Sequence, residues 1–249
     1  MQTVAIAQQK GGTGKSTTAA AIGAGLAKQG RRVLFIDLDP QANLTYILRA
    51  RGGATTLDVL TGKTDAATAA QQIDTMPGAA IIPGTGYLAG ADATIAGARR
   101  EYRLTDALGA LATVYDVCVV DTPPALGILT ANALTAADRV IIPCLPDALS
   151  IQALGQIADT IRAIQATSNP RLQIAGVLLT RYTPRQVLSR DTAGILEAAA
   201  AKIGTRLLAT RIRETVSLRE AQAMGQDIFT YAPRSAGAQD YSQLIKEIF

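Results

Sequence analysis

Between Gln9 and Thr18 the chain reads QKGGTGKSTT, and the chemistry open to such a run is the holding of a polyphosphate. Glycines let the backbone turn tightly, so that N–H groups converge. A helix that starts at once adds its positive end, and a lysine and a hydroxyl complete the cradle. Gly11, Gly12, Thr13 and Gly14 form the loop here, with Lys15 placed to reach the β- and γ-phosphates, Ser16 to ligate Mg²⁺ and Thr17 beside it. The run departs from G-x-x-x-x-G-K-[ST] at its first glycine, which is Gln9. It also carries a second lysine, Lys10, five residues before Lys15, and on so tight a loop that lysine cannot easily fold back to its own nucleotide. Three carboxylates stand at strand ends further on: Asp37 and Asp39 after Val33–Ile36, and Asp121 after Val117–Val120. Carboxyl ends of parallel strands are where open α/β sheets take their ligands. The alternate spacing of Asp37 and Asp39 puts both on one side of the chain, and an Asp such as Asp121 can hold Mg²⁺ through water.

The elements needed to position these groups are legible in outline. Thr3–Ala7 reads as a buried strand and the Ala-rich stretch with Ile22 and Leu26 on one face as a helix, closed by Gly30. Further strands are expected at 33–36, 79–83, 117–120, 139–143 and 172–180, with helices near 56–60, over 99–111, over 150–166 and over 184–203, and a closing helix at 237–249. Residues 50–97 are rich in Gly, Thr and Ala and receive no chemistry. Four parallel-type strands separated by helices specify an α/β, doubly wound, mostly parallel sheet, read as one domain over 1–249.

Composition narrows the function. At 249 residues, 48% hydrophobic and 18% charged, the chain is a folded globular type. No basic n-region or cleavage site precedes the first strand and no apolar run approaches a membrane span, so a cytoplasmic location is expected. Histidine is absent, which removes any His-based relay or metal site, and Cys118 and Cys144 lie inside apolar runs as buried thiols. Residues 1–150 carry twelve basic and twelve acidic side chains, whereas 151–249 carry twelve and eight, with the excess between Arg181 and Arg219. Such a bias suits a polyanion partner.

The loop K-G-G-T-G-K-S-T resembles the deviant Walker A motif of the ParA/MinD family of P-loop ATPases. Asp37-Leu38-Asp39-Pro40-Gln41 is similar to that family's switch I segment, and Asp121-Thr122-Pro123-Pro124 with the following Gly127, Asn132 and Leu134 to its Walker B and switch II. The segment 209–228 and the closing helix extend the likeness over essentially the whole chain. The resemblance implies that Lys10 reaches across an ATP-induced homodimer to the partner's phosphates, that Asp39 orients the attacking water, and that Asp37 supports the loop and the outer metal shell. It implies adenine contacts at Arg213 and Thr215, where family members usually carry Pro and Asn. It also implies a DNA-facing arginine at a position held here by Ser217, so that Arg211 and Arg219 are the expected substitutes.

The function implied is an ATPase, weak alone and stimulated by a ParB-like centromere-binding or adaptor protein. With ATP and Mg²⁺ it would bind DNA non-specifically and drive segregation or cargo positioning on the nucleoid. Three rivals stand beside it. A membrane-cycling ATPase of the MinD kind would use the stripe Tyr241, Leu244, Ile245, Ile248 and Phe249, although Asp240 and Glu247 on that helix speak against stable membrane association. An electron-transfer ATPase would need cysteines placed to bridge a cluster, and a scaffold would bind nucleotide without turnover.

Overall fold

The structure, a computed structural model, describes residues 1–183 and 187–249. One eight-stranded sheet frames it: β1 (Gln2–Ile6), β2 (Val33–Asp37), β3 (Gln71–Gln72), β4 (Ala79–Ile82), β5 (Val117–Asp121), β6 (Arg139–Cys144), β7 (Gln173–Tyr182) and β8 (Leu207–Arg213). The strands lie in the order β3-β4-β2-β5-β1-β6-β7-β8, every neighbouring pair parallel except β3 with β4. The parallel set is therefore larger than the four strands expected, and the antiparallel β3 was not foreseen. The physical reason is length and exposure. The outlying β3 is only two residues long, and β8 alternates buried with more exposed positions because it is an edge, whereas β4 stands where a strand was expected.

Successive residues of a strand face opposite sides of the sheet. Ala5, Leu34, Ile36, Cys118, Val120, Val140 and Ile142 pack into one apolar layer, and Val4, Ile6, Val33, Phe35, Val117, Val119 and Ile141 into the other. Burial on both faces explains why these strands read as continuous hydrophobic runs. The order reverses beside β1, which has β5 on one side and β6 on the other. That reversal opens a crevice at the carboxyl end of β1, where the glycine loop emerges.

Helix α1 (Lys15–Lys28) is buried from Thr18 to Leu26, pressed between the sheet and the last helix, Ala236–Ile248. Its small residues permit that approach. A Cβ on Gly23 would stand 2.1 Å from the ring of Phe35, so Gly23→Ala is expected to cost about 1–3 kcal/mol through overpacking. Urea unfolding should show a lower midpoint at unchanged slope, and an unaltered midpoint would show that the ring yields freely.

The last helix spends its whole inner face on the core: Tyr241, Leu244, Ile245 and Ile248 are buried in the layer that holds α1. Two of its carboxylates close the sheet edge. Glu247 accepts from the Ala209 and Thr210 amides at 2.8 and 2.9 Å, and Asp240 from the Arg213 amide at 2.9 Å. An edge strand otherwise offers such amides to other chains.

Elsewhere the boundaries move. The helix expected over 99–111 is a 3₁₀ turn, Arg100–Tyr102, followed by a helix Arg103–Gly109. Arg99 takes a left-handed φ of 59° and lays its guanidinium 4.4 Å from the centre of the Tyr102 ring. The helix at Thr56–Leu60 stands where expected, with a Thr55–Asp58 capping box at its start. The helix expected from 184 runs over Val187–Lys202, and residues 184–186 lie outside the described set.

Candidate nucleotide site

Gly12 and Gly14 hold φ of +74° and +85°, a conformation that residues with a Cβ rarely adopt. Gly14 caps α1 with no side chain bonded to the first helical amides, which leaves them directed at whatever occupies the loop. The loop is tied down from behind. Thr180 Oγ1 donates to the Thr13 carbonyl at 2.8 Å, and Gln8 Nε2 donates to Cys144 Sγ at 3.2 Å.

Lys15 is 6% exposed. Burial lowers its pKa, while the charges of Asp121 and then Asp39 act in the opposite direction. Asp121 is fully buried, and neither carboxylate oxygen has a hydrogen-bond partner, the unsatisfied side-chain atoms found among the described residues. Burial first, and the charge of Asp37 next, push its pKa well above the ordinary value, with the Ser16 side chain and Lys15 opposing. An orphaned carboxylate costs free energy unless something satisfies it. A hydrated divalent cation beside Ser16 would do so, and the donor set fits: Mg²⁺ is commonly held by one or two carboxylates, a hydroxyl, waters and substrate phosphates. No cluster of three or more Cys, Asp or Glu that could hold a metal occurs among the described residues, and a site of this kind needs none.

Asp37 and Asp39 part company in the structure. Asp37 braces the loop: its oxygens accept from the Thr45 amide and hydroxyl at 2.8 and 2.7 Å and from the Asp39 amide at 3.1 Å, and Thr45 in turn accepts from the Gly84 amide. Burial raises its pKa to about 6 against those bonds. Asp39 accepts from the Gln41 amide at 2.9 Å and faces the cleft beside Lys15 and Ser16. Lys10 does not extend into solvent. Its ammonium pairs with Asp147 at 2.5 Å, at the start of the helix Ala148–Thr167, where Asp147 also caps the Ser150 amide. Burial works against that carboxylate, yet the Lys10 bond and the Ser150 amide hold it below its ordinary pKa.

Two cavities adjoin over the loop. One, of about 580 Å³, is lined by Gly11, Lys15, Ser16 and Asp39 and by Tyr46 from α2 (Asn43–Ile47). The other, of about 360 Å³, has Ile212, Arg213, Thr215 and Tyr241 in its wall, so both positions expected at adenine do line the cleft. The Arg213 guanidinium is forked onto Asp240, Nη2 to Oδ1 at 2.6 Å, which leaves its backbone rather than its side chain to face a base. Arg211 stacks on Tyr182, 5.0 Å from the ring centre, and lines neither cavity. Arg219, expected with it on a DNA-facing surface, lines both. Sequence reasoning also missed Asp147, Thr45, Tyr241 and Gln222. For Asp147 a signal existed, since Asp147-x-x-Ser150 is a helix start. The others depend on contacts distant in sequence.

The chain is similar to known proteins over essentially its whole length. The family model AAA_31, an AAA domain, matches residues 1–174. The chain is 38% identical over 254 residues to the chromosome partitioning protein ParA of Caulobacter vibrioides, covering 100% of this chain and 94% of that one. It is 39% identical to the sporulation initiation inhibitor protein Soj of Bacillus subtilis, covering 98% and 97%. Among solved structures, a cobyrinic acid a,c-diamide synthase from Mycobacterium smegmatis with bound ATP analogue and magnesium superposes with a TM-score of 0.85 at 37% identity, covering 99% and 93%. With a parallel sheet, a glycine loop at its switch point and full-length likeness to such proteins, the chain belongs to the ParA/Soj family of P-loop ATPases.

Proposed function

We propose that the chain is a ParA-type ATPase that closes as a homodimer on Mg²⁺–ATP, binds DNA without sequence preference and drives DNA segregation or cargo positioning on the nucleoid. The observation that carries the reading is the buried, unpartnered Asp121 carboxylate beneath the glycine loop, next to Lys15 and Ser16. Those groups suit a triphosphate with its cation and little else. Magnesium, when bound, neutralises charge on the β- and γ-phosphate oxygens.

The chain's own residues do the rest. Lys15 and the loop amides would fix the phosphates, Ser16 and Asp121 would hold the metal, and Asp39 would place the attacking water. With Asp a weak base near neutral pH, placement is the greater part of its role. Lys10 would stabilise charge on the partner's ATP, for which it must leave Asp147. Both members of that pair are partly exposed, 23% and 37%, and such pairs are worth at most about 1 kcal/mol, so release is a small obstacle. Asp39→Ala is expected to lower steady-state phosphate release by about 100-fold or more while ATP-dependent dimers persist on size exclusion. Normal turnover would remove Asp39 from the mechanism.

DNA contact is assigned to the basic region around β8, including Arg211, with a ParB-like protein as the stimulating partner. Binding should weaken steeply with salt and be equal for unrelated duplexes. Lipid is the poorer surface, because Tyr241, Leu244, Ile245 and Ile248, four of the five residues of the apolar stripe that a membrane-cycling ATPase would expose, are buried here in the layer that holds α1. No helix among the described residues is long and apolar enough to cross a membrane. Chemistry through a cysteine is disfavoured as well, since burial pushes Cys144 up to about 12 and Cys118 higher. Phosphate release by the full chain with Mg²⁺–ATP, with and without duplex DNA, tests the reading, and a chain inert in both conditions would overturn it.

A further inference from the structure

We propose that Arg219 binds the phosphates of the nucleotide held in its own subunit. The inference rests on the Mg²⁺–ATP reading of the cleft and adds to it a cation that the motifs do not contain. Arg219 belongs to the helix Val216–Met224, which is pinned over the glycine loop at two points. Gln222 Nε2 donates to Thr17 Oγ1 in the first turn of α1 at 2.7 Å, and Arg49 Nη2, just beyond α2, donates to the Ala223 carbonyl at 2.7 Å. Residues three apart share a helix face, so Arg219 projects on the side from which Gln222 reaches the loop.

The cavities agree with that direction. Gly12, Gly14, Thr17, Arg219 and Gln222 line both chambers and so mark their junction. A nucleotide with its base in the smaller chamber and its terminal phosphates in the larger must pass that junction with its ribose and inner phosphates. Charge singles out the same residue. Of the arginines lining the smaller chamber, Arg181 is paired with Glu214 at 2.8 Å and Arg213 with Asp240 at 2.6 Å. Arg219 has no ion pair among the described residues and is exposed, and beside it only Lys15 brings a positive charge to the larger chamber. One buried lysine facing Asp39 and Asp121 is a thin counterweight to a triphosphate. A guanidinium offers the strongest geometry for phosphate oxygens, as a rigid fork of charge-assisted donors.

The test is titration of the full-length protein with fluorescent mant-ATP and mant-ADP, magnesium present, alongside melting of the nucleotide-free forms. Arg219→Ala should weaken both ligands about 10-fold without lowering the nucleotide-free Tm. Arg219→Lys should recover part of the loss, and Arg162→Ala, which removes a surface charge on a distant helix, should change neither. Wild-type affinity in Arg219→Ala would overturn the assignment. So would DNA binding lost at unchanged nucleotide affinity, which would return Arg219 to a DNA surface. Equal losses in the Ala and Lys variants with a lowered Tm would make it a structural part instead. Failure of the wild-type chain itself to bind mant-ATP would instead sink the ATP reading, and this inference with it.

Discussion

Lys15→Ala is expected to yield a folded protein that no longer binds ATP. Lys15 lies at the base of the larger chamber, 6% exposed, between the loop amides and the carboxylates of Asp39 and Asp121. Its ammonium would make charge-assisted bonds to two phosphates, each worth about 1.5–3 kcal/mol. Their loss alone predicts a weakening on the order of 100-fold or more. The true effect should be larger, because alanine leaves Asp39 and Asp121 facing the incoming anion with no buried cation between them. Arginine should not rescue, since its planar fork is bulkier and cannot occupy a pocket shaped for a point charge. The check is thermal: magnesium–ATP at about 100 times its Kd should stabilise the wild type by about 2.7 kcal/mol and leave the variant's melting unmoved. Retained affinity would show that the loop is not the phosphate cradle.

How much of this was legible beforehand follows from where each constraint is written. The loop 10–17 dictates its residue types locally: only glycine relaxes into the φ of Gly12 and Gly14, and a lysine and a hydroxyl must follow directly. Asp39 and Asp121 were equally visible, because a carboxylate at the tip of an apolar strand is a pattern of adjacent residues. Lys10 was visible as a residue but not in its resting contact, since Asp147 is 137 positions away. The resemblance puts Arg219 on a DNA-facing surface, as a substitute for the arginine replaced by Ser217, whereas its direction is set by Gln222 on Thr17, 205 positions apart. Spacing alone does not separate Asp37 from Asp39, since both stand at one strand end. The family resemblance is what assigns Asp37 to the loop and Asp39 to the water, and the contacts that make the brace, Thr45 on Asp37 and Gly84 on Thr45, are not written in the local pattern. Within 50–97 only the helix at 56–60 and the strand at 79–83 are legible, and the rest is silent because its elements are short: β3 has two residues, and the helices Ala66–Ala69 and Ala91–Thr94 have four each. Packing, not pattern, fixes pieces of that size.

Asp121→Asn should separate stability from function in one substitution. Without nucleotide, both oxygens of Asp121 are buried and unpartnered, and Asp37 is beside it on the neighbouring strand, in register. A neutral amide of the same shape removes the cost of burying that charge, so the nucleotide-free variant should be more stable by about 1–3 kcal/mol, a rise in Tm of several degrees for a chain this long. The pH dependence should carry the same signature. Burial raises the folded-state pKa of Asp37 to about 6 and that of Asp121 well above the ordinary value. A carboxyl whose folded pKa is raised keeps its proton longer when folded. Its contribution is therefore most favourable below the ordinary carboxylate range and is lost as pH climbs through the folded value. The wild type, free of nucleotide and in EDTA, should melt higher at about pH 5 than at about pH 8. The variant should keep the part of that fall owed to Asp37, complete near pH 6, and lose the part owed to Asp121. Adding magnesium–ATP should invert the ranking, because the wild type gains the full binding energy and the variant cannot hold the hydrated cation against Ser16. A nucleotide-free variant less stable than the wild type at about pH 8, or one whose ATP affinity still rises with magnesium, would mean that Asp121 has a partner other than the metal.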